Sequence, residues 1–346
     1  MTALGPIRFA RRYAAGPDGG VYPADLALGV DGLLTLGATR MIGLLAVEQA
    51  FDRAARTLDG LCGWTVDGET VRRAAHALAR RAAAERPERA DAERFAAASG
   101  EVEVLVDAGK VNTPGGFRDV KSTLFPKRPV GKPATVAQWA TRRLPEPTVR
   151  IAVAAIEECG LHGERVRREA DRLGGTAAAG ATVLADGGEW IWNPAADVLP
   201  KAAGVLDIFH AVEHVSGAVK AVFGVGTAAS ATHIEAGRQA LLAGGKAGVD
   251  RWLAELIPQA PAGVPADPLV GVSAYLANHP THLDCAGRLA SGRSIGSGAV
   301  EGAIKRWVNL RMKRSGARWR VEHVGPFVEL QALCDSPEWD ALWIAA

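Results

Sequence analysis

The stretch "EVEVLVDAGKVN" at residues 101–112 constrains the fold more than any other. Val102, Val104 and Val106 alternate on one face, which is the period of a half-buried strand, and the run closes on Asp107 followed by the small residue Ala108. "FRDVKSTLF" (117–125) reads as its neighbour. "GATVLADGGEWIWN" repeats the pattern, a short apolar strand ending in Asp186 before a Gly-Gly turn, and "AAGVLDIFHAVEHV" reads as a strand running into a helix. Strands that precede helices predict an α/β core, and an acid at the carboxyl end of such a strand faces the crevice where ligands bind.

The remaining segments surround that core. Residues 1–30 are rich in Gly and Pro and read as an irregular arm. The spacing of Leu44, Val47, Phe51, Ala54 and Leu58 predicts one helix over 38–60. After a Gly turn, with Thr65 or Asp67 as cap, an arginine-rich helix follows, and the pair fits either a helix-turn-helix or a plain helical hairpin. "TVRIAVAAIEECGLHGERVRREADRLG" (148–174) is read as a helix. Residues 215–290 carry helical patterns broken by "APAGVPADP" and "ANHPTH". The expected division is an N-terminal arm and DNA-binding region over 1–98, a catalytic domain from 99–214 and 291–346, and a helical insert over 215–290.

The segment "RSIGSGAVEGAIKRWVNLRMKRSGARW" (293–319) is unbalanced in charge. From Arg288 to Arg320 there are nine basic residues, and Glu301 is the single acid among them. A helix capped near Ser297 places Glu301 about one turn in, where the helix N-terminus favours negative charge. Taken singly, an aspartate after a strand is usually a turn residue, and Glu301 with Lys305 forms an ordinary i,i+4 pair. Taken together, Asp107, Asp186 and Glu301 are three oxygen donors that would repel unless a hard cation such as Mg²⁺ or Mn²⁺ joined them. Such a set can clamp both oxygens of a phosphodiester displacement. Lys305, Arg311, Lys313, Arg314 and Arg318 are the candidates for DNA phosphate contact.

Other features are less informative. The net charge is +2, and 48% of residues are hydrophobic. Cys62, Cys159, Cys285 and Cys334 lie far apart, so neither a disulfide framework nor a cysteine zinc site is expected. The N-terminal residues lack the apolar run of a signal peptide, no run of eighteen apolar residues exists, and a cytoplasmic location is expected. "GVGTAAS" (224–230) does not follow the phosphate-loop pattern. "HAVEH" fits the H-x-x-E-H pattern, in which His210 and His214 would bind zinc with Glu213 as base, but that reading leaves Asp107, Asp186 and the basic segment unexplained. Trp190, Trp192, Trp307 and Trp319 are expected to pack in the core more readily than to stack on bases.

The motif "IGSGAVEGAIKRWVNLRMKRSGARW" resembles the closing signature of bacterial insertion-sequence transposases of the ISKra type, relatives of the Mutator group. "LADGGEWIWN", "VLDIFHAVEHV", "VDAGKVNTPGGFRDVKSTLF" and "RRYAAGPDGGVYPADLALGV" resemble further blocks of that family, in the family's order and over nearly the whole chain. The resemblance implies a ribonuclease-H-like mixed sheet with flanking helices, an all-α insert before the last catalytic helix and an N-terminal helical region. It also implies a DDE triad of Asp107, Asp186 and Glu301 holding Mg²⁺ or Mn²⁺, with His210 of a D-x-x-H element (Asp207 to His210) orienting the scissile strand or assisting the metal site. DNA is the implied partner, both transposon ends and target, with a homo-oligomer on the DNA and no membrane association. A silent DNA-binding derivative is the alternative. Ala108 and Gly302 are small-for-small departures. Gly16 and Gly19 stand where the family carries a C-x-x-C zinc element, so no zinc is expected there.

Overall fold

A computed structural model of the chain describes residues 1–3, 7–17, 19–86, 91–174 and 180–343. Positions 4–6 and 18 of the N-terminal arm lie outside the described residues. The rest of the arm forms two small hairpins, β1 (Ala14–Gly16) with β2 (Gly19–Val21) and β3 (Val30–Asp31) with β4 (Leu34–Thr35), around the short helix α1 (Pro23–Leu28).

The helix expected over 38–60 is two: α2 (Leu36–Glu48) and α3 (Phe51–Cys62). Gln49 and Ala50 are extended, and the Thr57 hydroxyl donates to Gln49 Oε1 at 2.9 Å across the corner. The apolar spacing runs through the break because both helices bury one stripe, Ile42 and Val47 on α2 and Ala54 and Leu58 on α3. Asp67 then caps α4 (Gly68–Ala84) by accepting the Thr70 N–H at 2.7 Å. α5 (Asp91–Ala97) leads into the sheet.

Five strands form one mixed sheet. β5 (Glu101–Thr113), β6 (Gly116–Arg128) and β7 (Val149–Ala155) pair antiparallel, and β8 (Thr182–Ala185) and β9 (Ala203–Leu206) continue parallel to β5 in the order β7-β6-β5-β8-β9. Two sequence expectations change here. The stretch 148–174 is strand β7 followed by helix α6 (Cys159–Arg172), not helix throughout. "VRIAVAA" is buried on both faces except at Arg150, and a continuous apolar run carries no period to separate strand from helix. Nor does β5 end at Asp107. Its parallel neighbour β8 ends at Ala185, beside Val106, while the hairpin with β6 continues to Thr113.

One face of the sheet (Val104, Val106, Phe125, Ile151, Val153, Val183) packs with Phe95 against α6 and α7 (Glu189–Val198). The other face (Leu105, Val111, Val120, Leu124, Ala152, Ala154) shares one apolar core with α2, α3 and α4, with α12 (Gly298–Ile304) and with α13 (Val321–Cys334). The helices of 36–84 are thus packed continuously with the sheet, and α14 (Glu338–Ala341) adds Trp339 to that core. A separate core joins α8 (Ile208–Phe223), α9 (Ala228–Leu256, broken at Gly245), α10 (Asp267–Ala277) and α11 (Cys285–Ala290). After α12 the helix continues as a π turn over Lys305–Leu310. No helix among the described residues is long and apolar enough to cross a membrane.

Candidate functional site

The parallel strands deliver carboxylates to one end of the sheet. Asp107 is the first residue of β5 beyond its pairing with β8, Asp186 follows β8, and Asp207 follows β9. The Asp207 N–H donates to Ala185 O at 2.8 Å, which locks the last two strand ends together.

Glu301 arrives from α12, and Asp207 holds that helix in place. Asp207 is fully buried. Its Oδ1 accepts the N–H groups of Phe209 (2.6 Å) and His210 (3.1 Å), capping α8. Its Oδ2 accepts the Ser297 N–H and, at 2.6 Å, the Ser297 hydroxyl. Ser297 occupies the expected cap position, but its Oγ lies between Asp207 and Glu301, 3.2 Å from Glu301 Oε1, and does not cap α12. On the sheet side, Gly109 gives α12 its close approach: a Cβ there would lie 2.9 Å from Ile304 Cγ2 and 3.0 Å from Val308 Cγ1.

Asp107, Glu301 and His210 line one cleft together with Glu213, Lys110 and Lys313. Asp186 does not line this cleft but lies within electrostatic reach of Asp107, its Oδ1 accepting the Gly188 N–H at 2.8 Å. Burial pushes the Asp107 carboxyl up to about 6, and the charges of Asp186 and Glu301 add to the rise. The Ala108 N–H at 2.6 Å and His210 oppose it. Glu301 is also raised, by burial first and then by Asp207, against the Ser297 hydrogen bond and His210. Among the described residues none of the three acids has an ion-pair partner, although Lys110 and Lys313 line the same cleft.

The donor chemistry of this cleft, carboxylate oxygens without thiolates, suits a hard divalent cation. The positions of the donors are looser than the sequence reading expects. Among the described residues no three His, Cys, Asp or Glu side chains converge as a metal-holding group. The two histidines of "HAVEH" also part: His210 Nδ1 lies 3.4 Å from Glu213 Oε2, while His214 stacks on Tyr275 with ring centroids 3.7 Å apart.

Of the expected phosphate contacts, Lys305, Lys313, Arg314 and Arg318 are exposed, Lys313 on the cleft itself. Arg314 donates to Glu48 O at 3.0 Å. Arg311 is a correction. It is 4% exposed, donates to Ala46 O at 2.7 Å, and its guanidinium lies 4.7–5.1 Å from the ring centres of Phe51, Trp319 and Phe327. Its place in the helix turns it into the core, where stacking and stem burial hold it, so it offers no surface to a phosphate. Trp307 and Trp319 are buried as expected, and Trp192 donates its indole N–H to Asp186 O at 2.7 Å.

The sequence reading passed over the structural part of Asp207, and it passed over Lys110, Tyr275 and His279. An acid between a short strand and a helix, as in "VLDIFH", is the signal that could have singled out Asp207 as a cap. Tyr275 and His279 have no such local signal. Compared with known proteins, the chain matches no family model and no curated protein by sequence.

Proposed function

We propose that this chain is a DDE-type DNA transposase with a ribonuclease-H-like catalytic core, of the insertion-sequence group that its motifs resemble. What supports the reading is that Asp107 and Glu301 line one cleft and that Asp107 also lies within electrostatic reach of Asp186. None of the three acids has an ion-pair partner among the described residues, and Lys110 and Lys313 line that cleft. Buried Glu103 and Glu169, by contrast, are paired with arginines.

Asp107 and Asp186 would hold one Mg²⁺ or Mn²⁺ and Glu301 a second. Bound there, the ions would supply charge neutralisation at the attacking and leaving oxygens of an in-line displacement. Asp107 Oδ1 accepts the Ala108 N–H, which leaves Oδ2 the freer oxygen for a cation. Lys110 and Lys313 hold the flanking phosphates, and His210 orients the scissile strand. The same cleft then serves the freed 3′-OH in its attack on target DNA, with no covalent protein–DNA intermediate.

The test is Mg²⁺-dependent cleavage of DNA carrying the ends that flank the gene. Glu301→Gln and Asp186→Asn should each lower the rate by more than the roughly 10–100-fold that loss of a supporting partner gives, with DNA binding retained. A chain that binds these ends and never cuts them would instead be a DNA-binding derivative.

A further inference from the structure

The turn that carries Asp186 is held from outside the sheet. Two main-chain carbonyls in succession accept side-chain nitrogens: Asp186 O takes the Trp192 indole N–H at 2.7 Å, and Gly187 O lies 3.3 Å from His279 Nε2. Tyr275, one turn before His279, lies directly on the turn. A Cβ at Gly187 would sit 2.5 Å from both its Cε2 and its Oη, so only glycine admits the ring there.

These side chains support one another. Tyr275 stacks on His214 of α8, and Trp192 stacks on His282 at 4.3 Å, which in turn lies 5.7 Å from His279. His279 is 4% exposed, and the Tyr275 hydroxyl is buried against the Gly187 backbone. Tyr275, His279 and His282 all belong to the helical insert and its exit, more than 80 residues from Asp186 in sequence. The sheet fixes the Asp186 backbone only as far as Ala185, the last residue of β8. Beyond it, the Gly187–Gly188 pair has the widest conformational choice of any dipeptide. Trp192 of α7 and the insert residues Tyr275 and His279 remove that choice together.

We propose that Tyr275 and His279 are positioning residues for Asp186: the helical insert clamps the Asp186–Gly188 turn and so sets where the second carboxylate points. The clamp is an assembly check as well, since the acid is placed only when the insert has packed against β9 and α8. The catalytic consequence rests on the function proposed above, whereas the positioning itself is readable without any reaction.

The Gly188 amide donates to Asp186 Oδ1, so its hydrogen exchange reports the carboxylate's placement. Exchange at Gly188 is to be followed by NMR in the full chain, with Val183 and Leu184 of β8 and the α10 amides as internal controls. In Tyr275→Ala and His279→Ala, Gly188 should exchange at least about tenfold faster, the equivalent of one lost hydrogen bond, while β8 remains protected. Tyr275→Phe keeps the ring, and His279→Gln keeps a nitrogen at the Nε2 position, so both should restore protection even where an alanine variant folds poorly. Unchanged Gly188 exchange in both alanine variants, or an equal rise at β8 and α10, would overturn the proposal. If the unmutated chain cleaves DNA, the alanine variants should lower kcat with KM for DNA unchanged. If it does not cleave while Gly188 responds as stated, the function falls and the clamp stands.

Discussion

Replacing Asp107 by asparagine should make the protein more stable, and only above a definite pH. The Asp107 carboxyl is raised from 3.8 to about 6, chiefly by burial and then by Asp186 and Glu301. At about 1.4 kcal/mol per pH unit the rise corresponds to about 3 kcal/mol. The sign follows from proton binding. Between pH 3.8 and 6 the folded chain holds more protons at this site than the unfolded chain, so stability is complete below 3.8 and is lost as pH rises through 6. Asparagine matches the shape of the neutral acid and does not ionise. At pH 8 Asp107→Asn should therefore exceed the unmutated protein by up to about 3 kcal/mol, or about 4 °C in Tm for a chain of this size. At pH 4 the two should nearly coincide. Urea and thermal melts at the two pH values measure the difference, and added Mg²⁺ should narrow the gap at pH 8 by stabilising the unmutated chain alone. A variant less stable at pH 8, or a difference that does not change with pH, would refute the idea that Asp107 carries uncompensated charge.

Arg311 and Lys313 should separate cleanly. Arg311→Ala loses the stacking on three rings and the bond to Ala46 O, and should cost about 2–4 kcal/mol in urea melts while leaving the salt dependence of DNA binding as it was. Lys313→Ala should stay within about 0.5 kcal/mol in stability and reduce the salt slope of DNA binding by about 1. Gly109→Ala places a methyl against Ile304 and Val308, and should cost about 1–3 kcal/mol. Because that methyl pushes α12 off β5, cleavage should fall further than the melt alone accounts for.

Much of the architecture is legible in local pattern. The alternation of Val102, Val104 and Val106 does place those side chains on one face of β5, and the strands β8 and β9 lie where short apolar runs end in Asp186 and Asp207. Asp67 caps α4 because a short acidic side chain before a helix satisfies its free N–H groups wherever it occurs. Patterns that look the same in two structures are where local reading fails. "VRIAVAA" carries no period, and the apolar stripe of 38–60 is continuous across a corner that only the Gln49 and Ala50 backbone reveals.

Local pattern marks the groups with chemistry to offer: acids in strand-end and helix-start contexts, and a lone Glu301 amid nine basic residues. Their surroundings are a matter of the folded chain. It set Asp107 within a strand at the point where its neighbour stops, buried Arg311 among aromatic rings, and made Asp207 the strut between β9 and α12. It also brought Tyr275 and His279 onto the Asp186 turn from a distant helix. The physical reason is one of range. Capping and periodicity act over a few residues, whereas burial and charge repulsion depend on segments that are neighbours only after folding.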